Sequence, residues 1–273
     1  MKQILCLLLC AANALVLLCA AEWIECSEKG FKGHLQGIAA DESGIYWSFS
    51  DTLLKTDYQG RKLASVSWFS HMGDLCVVNG SVFVALTVRG KNNLREYENW
   101  KGWVLAFDAA SLKYLARYRI GAPRIDGIAY VDGKFFIGID AGRAPHPLND
   151  ILVYDRSFKL LEKVTVDIGS NTSYGVQTMN PYHGKLLTSF YGDRRKKSYV
   201  FDINDFSRIS GEFPVRTSFG MAAVPPAVAG AEDVFLIARN TGKKRDWSAR
   251  LQVVRMVDGK LKTYKIPQKP AVK

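Results

Sequence analysis

The chain has 273 residues, with 37 basic and 26 acidic side chains and a formal net charge of +11. That length holds one large domain once a leader is removed, and its positive excess suits an acidic ligand or surface without bearing on fold. Five cysteines, three of them near the N-terminus, are too few and too unevenly placed for a disulfide scaffold.

Residues 1–21 read as a signal peptide. Lys2 supplies the positive start, Ile4 to Leu18 is apolar, and Cys19-Ala20-Ala21 offers small residues for cleavage. The apolar run is short for a membrane span, so the expected product is secreted or periplasmic and not integral to a membrane. A lipid-anchored alternative at Cys19 fits less well, because Leu18 stands where a small residue is expected. Removal of the leader takes away Cys6, Cys10, Cys19 and Lys2 and leaves a net charge of +10. Of the two remaining cysteines, Cys76 lies in the apolar run LCVV and reads as a buried small hydrophobe.

From residue 22 to 268 five segments share one plan. They open at His34, His71, Arg124, Tyr174 and Phe219. Each begins with an apolar strand, a tight turn and a second strand rich in aromatic and β-branched residues. A loop of variable length then leads to a third strand, and a turn to a fourth. The clearest hairpin is RIDGIAYVDGKFFIGID, Arg124 to Asp140, with Asp132-Gly133 at its turn. Asp57, Asp108, Asp155 and Asp202 recur at the end of the third strand, a periodicity that marks them as structural. Four-stranded units at this spacing predict an all-β, five-bladed β-propeller. The leftover piece Trp23 to Phe31 is expected to pair with the last unit and close the ring. Residues 269–273 are expected to be a disordered tail, and the protein a monomer.

Gln36-Gly37-Ile38, Asp74-Leu75 and Asp126-Gly127-Ile128 open successive first strands. In this the chain resembles the superfamily of secreted and periplasmic propellers that includes gluconolactonase-like, NHL-type and plant-type glutaminyl cyclase-like members. The resemblance implies the propeller fold and no particular active site, since fold does not imply function. Gly175-Val176-Gln177 and Gly220-Met221-Ala222 depart from the opening pattern.

In such a unit the start of strand one and the loop between strands two and three share one end of the ring. His34, His71, Arg124 and Tyr174 map to that end, with Gln36, Asp74, Asp126 and Gln177 two or three residues on. His146 maps there as well, whereas His183 falls in a tight turn at the other end. The loops over 88–102, 141–150, 191–198 and 239–249 carry thirteen basic and five acidic residues, among them Arg143, Arg194 and Arg239. Trp100, Tyr191 and Trp247 add flat surfaces for stacking on a sugar ring. Charged loops and isolated histidines also have bland readings, as solvated surface and hydrogen-bonded structure. Asp74 and Asp126 could equally lock neighbouring strands by accepting backbone N–H groups.

These residues suggest capture of an acidic carbohydrate or small anion at a channel mouth, without a cofactor. One version is β-elimination on a uronic acid, with Arg124 on the carboxylate, His34 or His71 as base and Tyr174 as acid. Another is hydrolysis by Asp74 and Asp126. A lactonase-like divalent-metal site on Asp74, Asp126 and Gln177 is a third, and a non-catalytic lectin-like or scaffold propeller a fourth. Nucleic acid is not an expected partner of an exported chain.

Overall fold

The computed structural model describes residues 23–88 and 100–267. The leader, the tail and Arg89, Lys91, Arg95, Glu96 and Glu98 of the 88–102 loop lie outside the described residues. What is described is all-β, built as four antiparallel sheets of four to seven strands with one short helix.

The first sheet runs in chain order through β2 (Leu35–Asp41), β3 (Gly44–Phe49), β4 (Thr52–Thr56) and β5 (Lys62–Ser67). The second repeats the plan with β6 (His71–Val78), β7 (Ser81–Val88), β8 (Lys101–Asp108) and β9 (Tyr114–Arg119). The third has seven strands: β10 (Ile125–Val131), β11 (Lys134–Ile139), β12 (His146–Tyr154), β13 (Leu160–Tyr182), β14 (Lys185–Tyr191), β15 (Ser198–Phe201) and β16 (Gly211–Phe213). Two sequence units are joined here, because β13 runs unbroken from the fourth strand of one into the first strand of the next. Its start pairs with β12 and its end with β14.

The last sheet comprises β17 (Met221–Ala223), β18 (Val234–Lys243), β19 (Asp246–Val257) and β20 (Lys260–Thr263), with the helix α1 (Pro226–Ala229) between β17 and β18. The segment read as a loop over 239–249 is instead a continuous β18–β19 ladder, paired as far as Lys243 opposite Asp246. β1 (Trp23–Glu25) adds to β19, and Phe31 bridges Trp247, so the leftover N-terminal piece does complete the last sheet.

Turn chemistry explains the hairpins. Asn79-Gly80, Asp132-Gly133, His183-Gly184 and Asp258-Gly259 all have positive φ at both positions, which matches the twist of the strands they join. The recurrent aspartates close the turns after the third strands. Asp57 Oδ1 accepts the N–H groups of Gln59 and Arg61, each at 2.9 Å. Asp108 accepts from Ser111 N at 2.8 Å, Asp155 from Ser157 N at 2.8 Å, and Asp202 from Asn204 N at 2.9 Å.

The first strands β2, β6 and β10 are buried on both faces, while β5 and β9 alternate exposed and half-buried residues as outer strands do. β2 packs on β6, β6 on β10, β10 on β13, β13 on β17 and β17 on β2. Apolar clusters fill the seams, for example Leu35, Trp47, Leu236 and Leu251 between the first and last sheets. Each such fully buried side chain contributes about 1.5–3 kcal/mol relative to exposure.

The inner strands approach so closely that small residues are required where they meet. A Cβ on Gly37 would lie 2.1 Å from Asp74 Oδ1, and one on Gly73 would lie 2.4 Å from Asp126 Oδ1. Each aspartate thus seats in the notch of a glycine on the preceding unit's first strand. Cys26 and Cys76 are both buried and free, with burial raising the Cys26 thiol to about 11.

Candidate functional site

A cavity of about 600 Å³ opens where the first strands begin and the second strands end. His34 and Gln36 precede and enter β2, His71 begins β6, Arg124 and Asp126 flank the start of β10, and Tyr174 and Gln177 lie in the later half of β13. All seven line the cavity, together with Trp100. Residues from four sequence units therefore converge on one space.

A recurring distortion aims them. The pairing register shifts near the start of β2, β6 and β10 and again in β13, between Leu35 and Gly37, Met72 and Leu75, Ile125 and Ile128, and Ser173 and Val176. A bulge breaks strict alternation and re-aims side chains. It allows Tyr174 and Gln177, three residues apart, both to face the cavity, whereas regular pleating would send them to opposite faces. Tyr174 is left-handed at φ 61° and donates its N–H to Gly142 O at 2.6 Å. A Cβ on the next residue, Gly175, would lie 2.3 Å from Ile139 O, so only glycine lets the chain pass there.

The floor is polar and buried. Arg124 pairs with Asp140, whose other carboxylate oxygen accepts Gly142 N at 2.8 Å. The Arg124 guanidinium stacks over Trp100, with Cζ 4.8 Å from the ring centre, and lies 6.0 Å from that of Tyr174. His71 Nε2 stands 4.0 Å from Asp126 Oδ1. Burial pushes Asp126 well above the usual carboxylate range, and the charges of Asp140 and Asp74 add to it; Arg124 and Gln177 pull the other way and lose. The protonated form of Asp126 is thereby favoured, and that form can donate a hydrogen bond. Burial likewise raises Asp140 against the pull of Arg124.

The walls are aromatic. Edge-on contacts run from Tyr174 to Tyr191 at 6.4 Å, Tyr191 to Phe219 at 6.1 Å, Phe219 to His34 at 6.0 Å, and His34 to Trp247 at 5.9 Å. Gln36 Nε2 donates to Ser50 Oγ at 2.9 Å, which holds its amide against the cavity wall.

Other candidates fall elsewhere. Asp74 does not line the cavity. It is fully buried against Gly37, and its Oδ2 accepts Met179 N at 2.8 Å, the strand-locking arrangement. The Asp74–Asp126 pair needed for two-carboxylate hydrolysis is therefore not presented to a ligand, and Asp74 does not join Asp126 and Gln177 as a metal donor. Arg143 and Arg194 are exposed and outside the cavity lining, and His146 turns its Nδ1 to Leu148 O at 2.9 Å. Trp247 contacts His34 of the wall without lining the cavity, and Arg239 lines a neighbouring pocket. His183 occupies a tight turn, with Nε2 3.2 Å from Asp233 Oδ1.

Sequence reading missed Thr87, Asp140, Ser173 and Gly192 in the lining. Thr87, Asp140 and Gly192 sit at or just past the ends of second strands, in β7 and after β11 and β14. Treating those ends like the starts of the first strands would have found them.

The chain matches no protein-family model and no curated protein. Among solved structures it is similar to the computationally designed Ika4 protein, with 14% identity over 63% of this chain and 95% of that one and a TM-score of 0.39. It is similar also to a protein of unknown function from Bacteroides caccae, with 15% identity over 77% and 67% and a TM-score of 0.43. A chain of the mitotic checkpoint complex gives 13% identity over 81% and 61% with a TM-score of 0.42. Likeness at these TM-scores has no bearing on what the cavity does. Among the described residues no helix is long and apolar enough to cross a membrane.

Proposed function

We propose that the chain is an exported five-bladed β-propeller that binds an acidic carbohydrate in its channel mouth and cleaves it by β-elimination. The ring reading is supported by the cyclic packing of β2, β6, β10, β13 and β17, with β13 serving two blades and β1 completing the last. The observation that carries the functional reading is the convergence of His71, Asp126, Arg124 and Tyr174 on one aromatic-walled cavity.

In this reading the sugar ring stacks on Tyr191 and Tyr174, and its carboxylate lies against Arg124 and Asp126. Because Asp140 balances the charge of Arg124, the raised affinity of Asp126 for a proton matters. A protonated carboxyl can donate to the enolate-like oxygen that develops in the transition state, where a carboxylate would repel it. His71 takes the proton from the carbon beside the carboxylate. The C–O bond at the neighbouring carbon breaks as the C=C bond forms, and the Tyr174 hydroxyl protonates the departing oxygen. Proton return from His71 to Tyr174 through solvent restores both groups.

Replacing the Tyr174 hydroxyl tests the scheme. Tyr174→Phe is expected to lower turnover of a uronate oligosaccharide by about 10²–10⁴-fold, the usual worth of a positioned acid or base, with ligand affinity nearly unchanged. The assay is the ultraviolet absorbance of the unsaturated uronate product. Full turnover in Tyr174→Phe and in His71→Ala would overturn the elimination scheme. A second reading, a lectin-like propeller that binds without cleaving, is favoured by the run of aromatic contacts around the mouth, and no product with any acidic glycan that binds would select it.

A further inference from the structure

Beside the cavity lies a second pocket of about 250 Å³, lined by Lys196, Pro214, Val215, Arg216, Ser218, Phe219 and Arg239. We propose that Lys196, Arg216 and Arg239 form a dedicated site for a tetrahedral oxyanion, a sulfate or phosphate ester group on the bound carbohydrate. This deepens the acidic-carbohydrate reading by adding a second acidic group, and it does not depend on whether the ligand is cleaved.

Three cations reach this pocket from three separate segments: Lys196 between β14 and β15, Arg216 between β16 and β17, and Arg239 in β18. Among the described residues no carboxylate lines it. Among the described residues none of the three makes an ion pair or a side-chain hydrogen bond. The nearby acids are engaged elsewhere. Asp193 is held by Arg195 and by the Tyr199 hydroxyl, and Glu212 pairs with Lys197. Arg216 and Arg239 are both half-buried, so their like charges meet where water screens them poorly. Burial, and then the charge of Arg216, depress the Arg239 guanidinium. Cations brought together without an internal counter-ion favour an external anion, and planar guanidinium forks suit oxyanions with several acceptors. A tetrahedral group offers an oxygen to each cation, which a carboxylate does not.

Phe219 links the two spaces. It lines the pocket, and its ring contacts Tyr191 and His34 of the cavity wall. A sugar stacked in the cavity can therefore place an ester group on Arg216 and Arg239.

The test is calorimetric titration of the full chain with inorganic sulfate and inorganic phosphate at constant ionic strength, with acetate as the carboxylate control. One saturable site is expected for the tetrahedral ions and none for acetate. Arg216→Gln, Arg239→Gln and the exposed Lys196→Gln should each weaken binding about tenfold, or roughly 1.4 kcal/mol, while Arg194→Gln does not. Thermal melts check folding, and Lys196→Gln, outside any strand, guards against a misfolded arginine variant. A sulfated and a phosphorylated monosaccharide then separate the two ester types, and whichever binds more tightly than its free ion identifies the group. Absence of saturable binding, or binding that survives all three substitutions, would overturn the proposal. His71→Ala should leave this binding intact, so loss of the elimination scheme and loss of this site are told apart.

Discussion

Asp74 and Asp126 have the same residue type and similar surroundings, yet they have separate tasks. Asp74 accepts a backbone N–H and is closed off from the cavity, whereas Asp126 faces both the cavity and His71. Burial raises Asp74 well above the ordinary range, with backbone N–H groups of Met179, Leu75 and Ile128 pulling less strongly the other way. A carboxyl whose folded pKa is raised adds stability below its unfolded value, and that contribution is lost as pH rises through the folded value. Asp74→Asn keeps an acceptor for Met179 and removes the titration. Urea unfolding should therefore show Asp74→Asn to be as stable as the native chain or more so at neutral pH, with a flatter decline toward alkaline pH. Asp74→Ala orphans the donor and should lose about 1–3 kcal/mol. Asp108 and Asp155 titrate in the opposite sense, because hydrogen bonds from Ser111 and Ser157 hold them low. Their contribution is present above the unfolded carboxylate value and is lost as pH falls through the lower folded one. The sequence could name all four aspartates, since each stands at a repeating position. It did not separate Asp74 from Asp126, since both strands carry the bulge and both carboxyls seat in a glycine notch, and which of them meets the cavity shows only in the folded chain.

Strand elements were legible wherever a turn announced them. Asp132-Gly133 marked its hairpin, and the unit spacing placed the first strands. Two features were not legible. β13 carries no breaker strong enough in sequence to reveal that one strand serves two units, and Gly169, Tyr174 and Gly175 bend it with positive φ without ending it. The β18–β19 ribbon looked like a charged loop because its outer end carries Lys243, Lys244, Arg245 and Asp246, with Asn240 to Lys243 facing Asp246 to Ala249. At the other margin, the expected edge pairing by the N-terminal piece has direct energetic content. Ile24 in β1 is 7% exposed and packs in the cluster that joins the first and last sheets. Ile24→Ala should cost about 2 kcal/mol in chemical unfolding, within the usual range for a buried large-to-small change. A loss near zero would mean that β1 covers the edge without stabilising it.

For the molecule as a whole, residues of four similar units share one opening. Surface charge alone was a poor guide to that opening. Arg143 and Arg194 remain on the outside and Arg124 pairs with Asp140, while among the described residues Arg216, Arg239 and Lys196 line the neighbouring pocket without an ion pair. Charge counts along a sequence register how many cations a segment holds and not which of them meet a carboxylate after folding. The types His34, His71, Arg124 and Tyr174 were readable because they occupy equivalent positions in successive units, and their partners were not, because those come from strand ends that repeat less regularly. The most direct measurement is an experimental structure of the full chain with an acidic oligosaccharide bound. The account requires the ligand in the cavity between Tyr174, Tyr191 and His34, with its carboxylate at Arg124 and Asp126. A ligand seated elsewhere, or those residues scattered over separate surfaces, would contradict it.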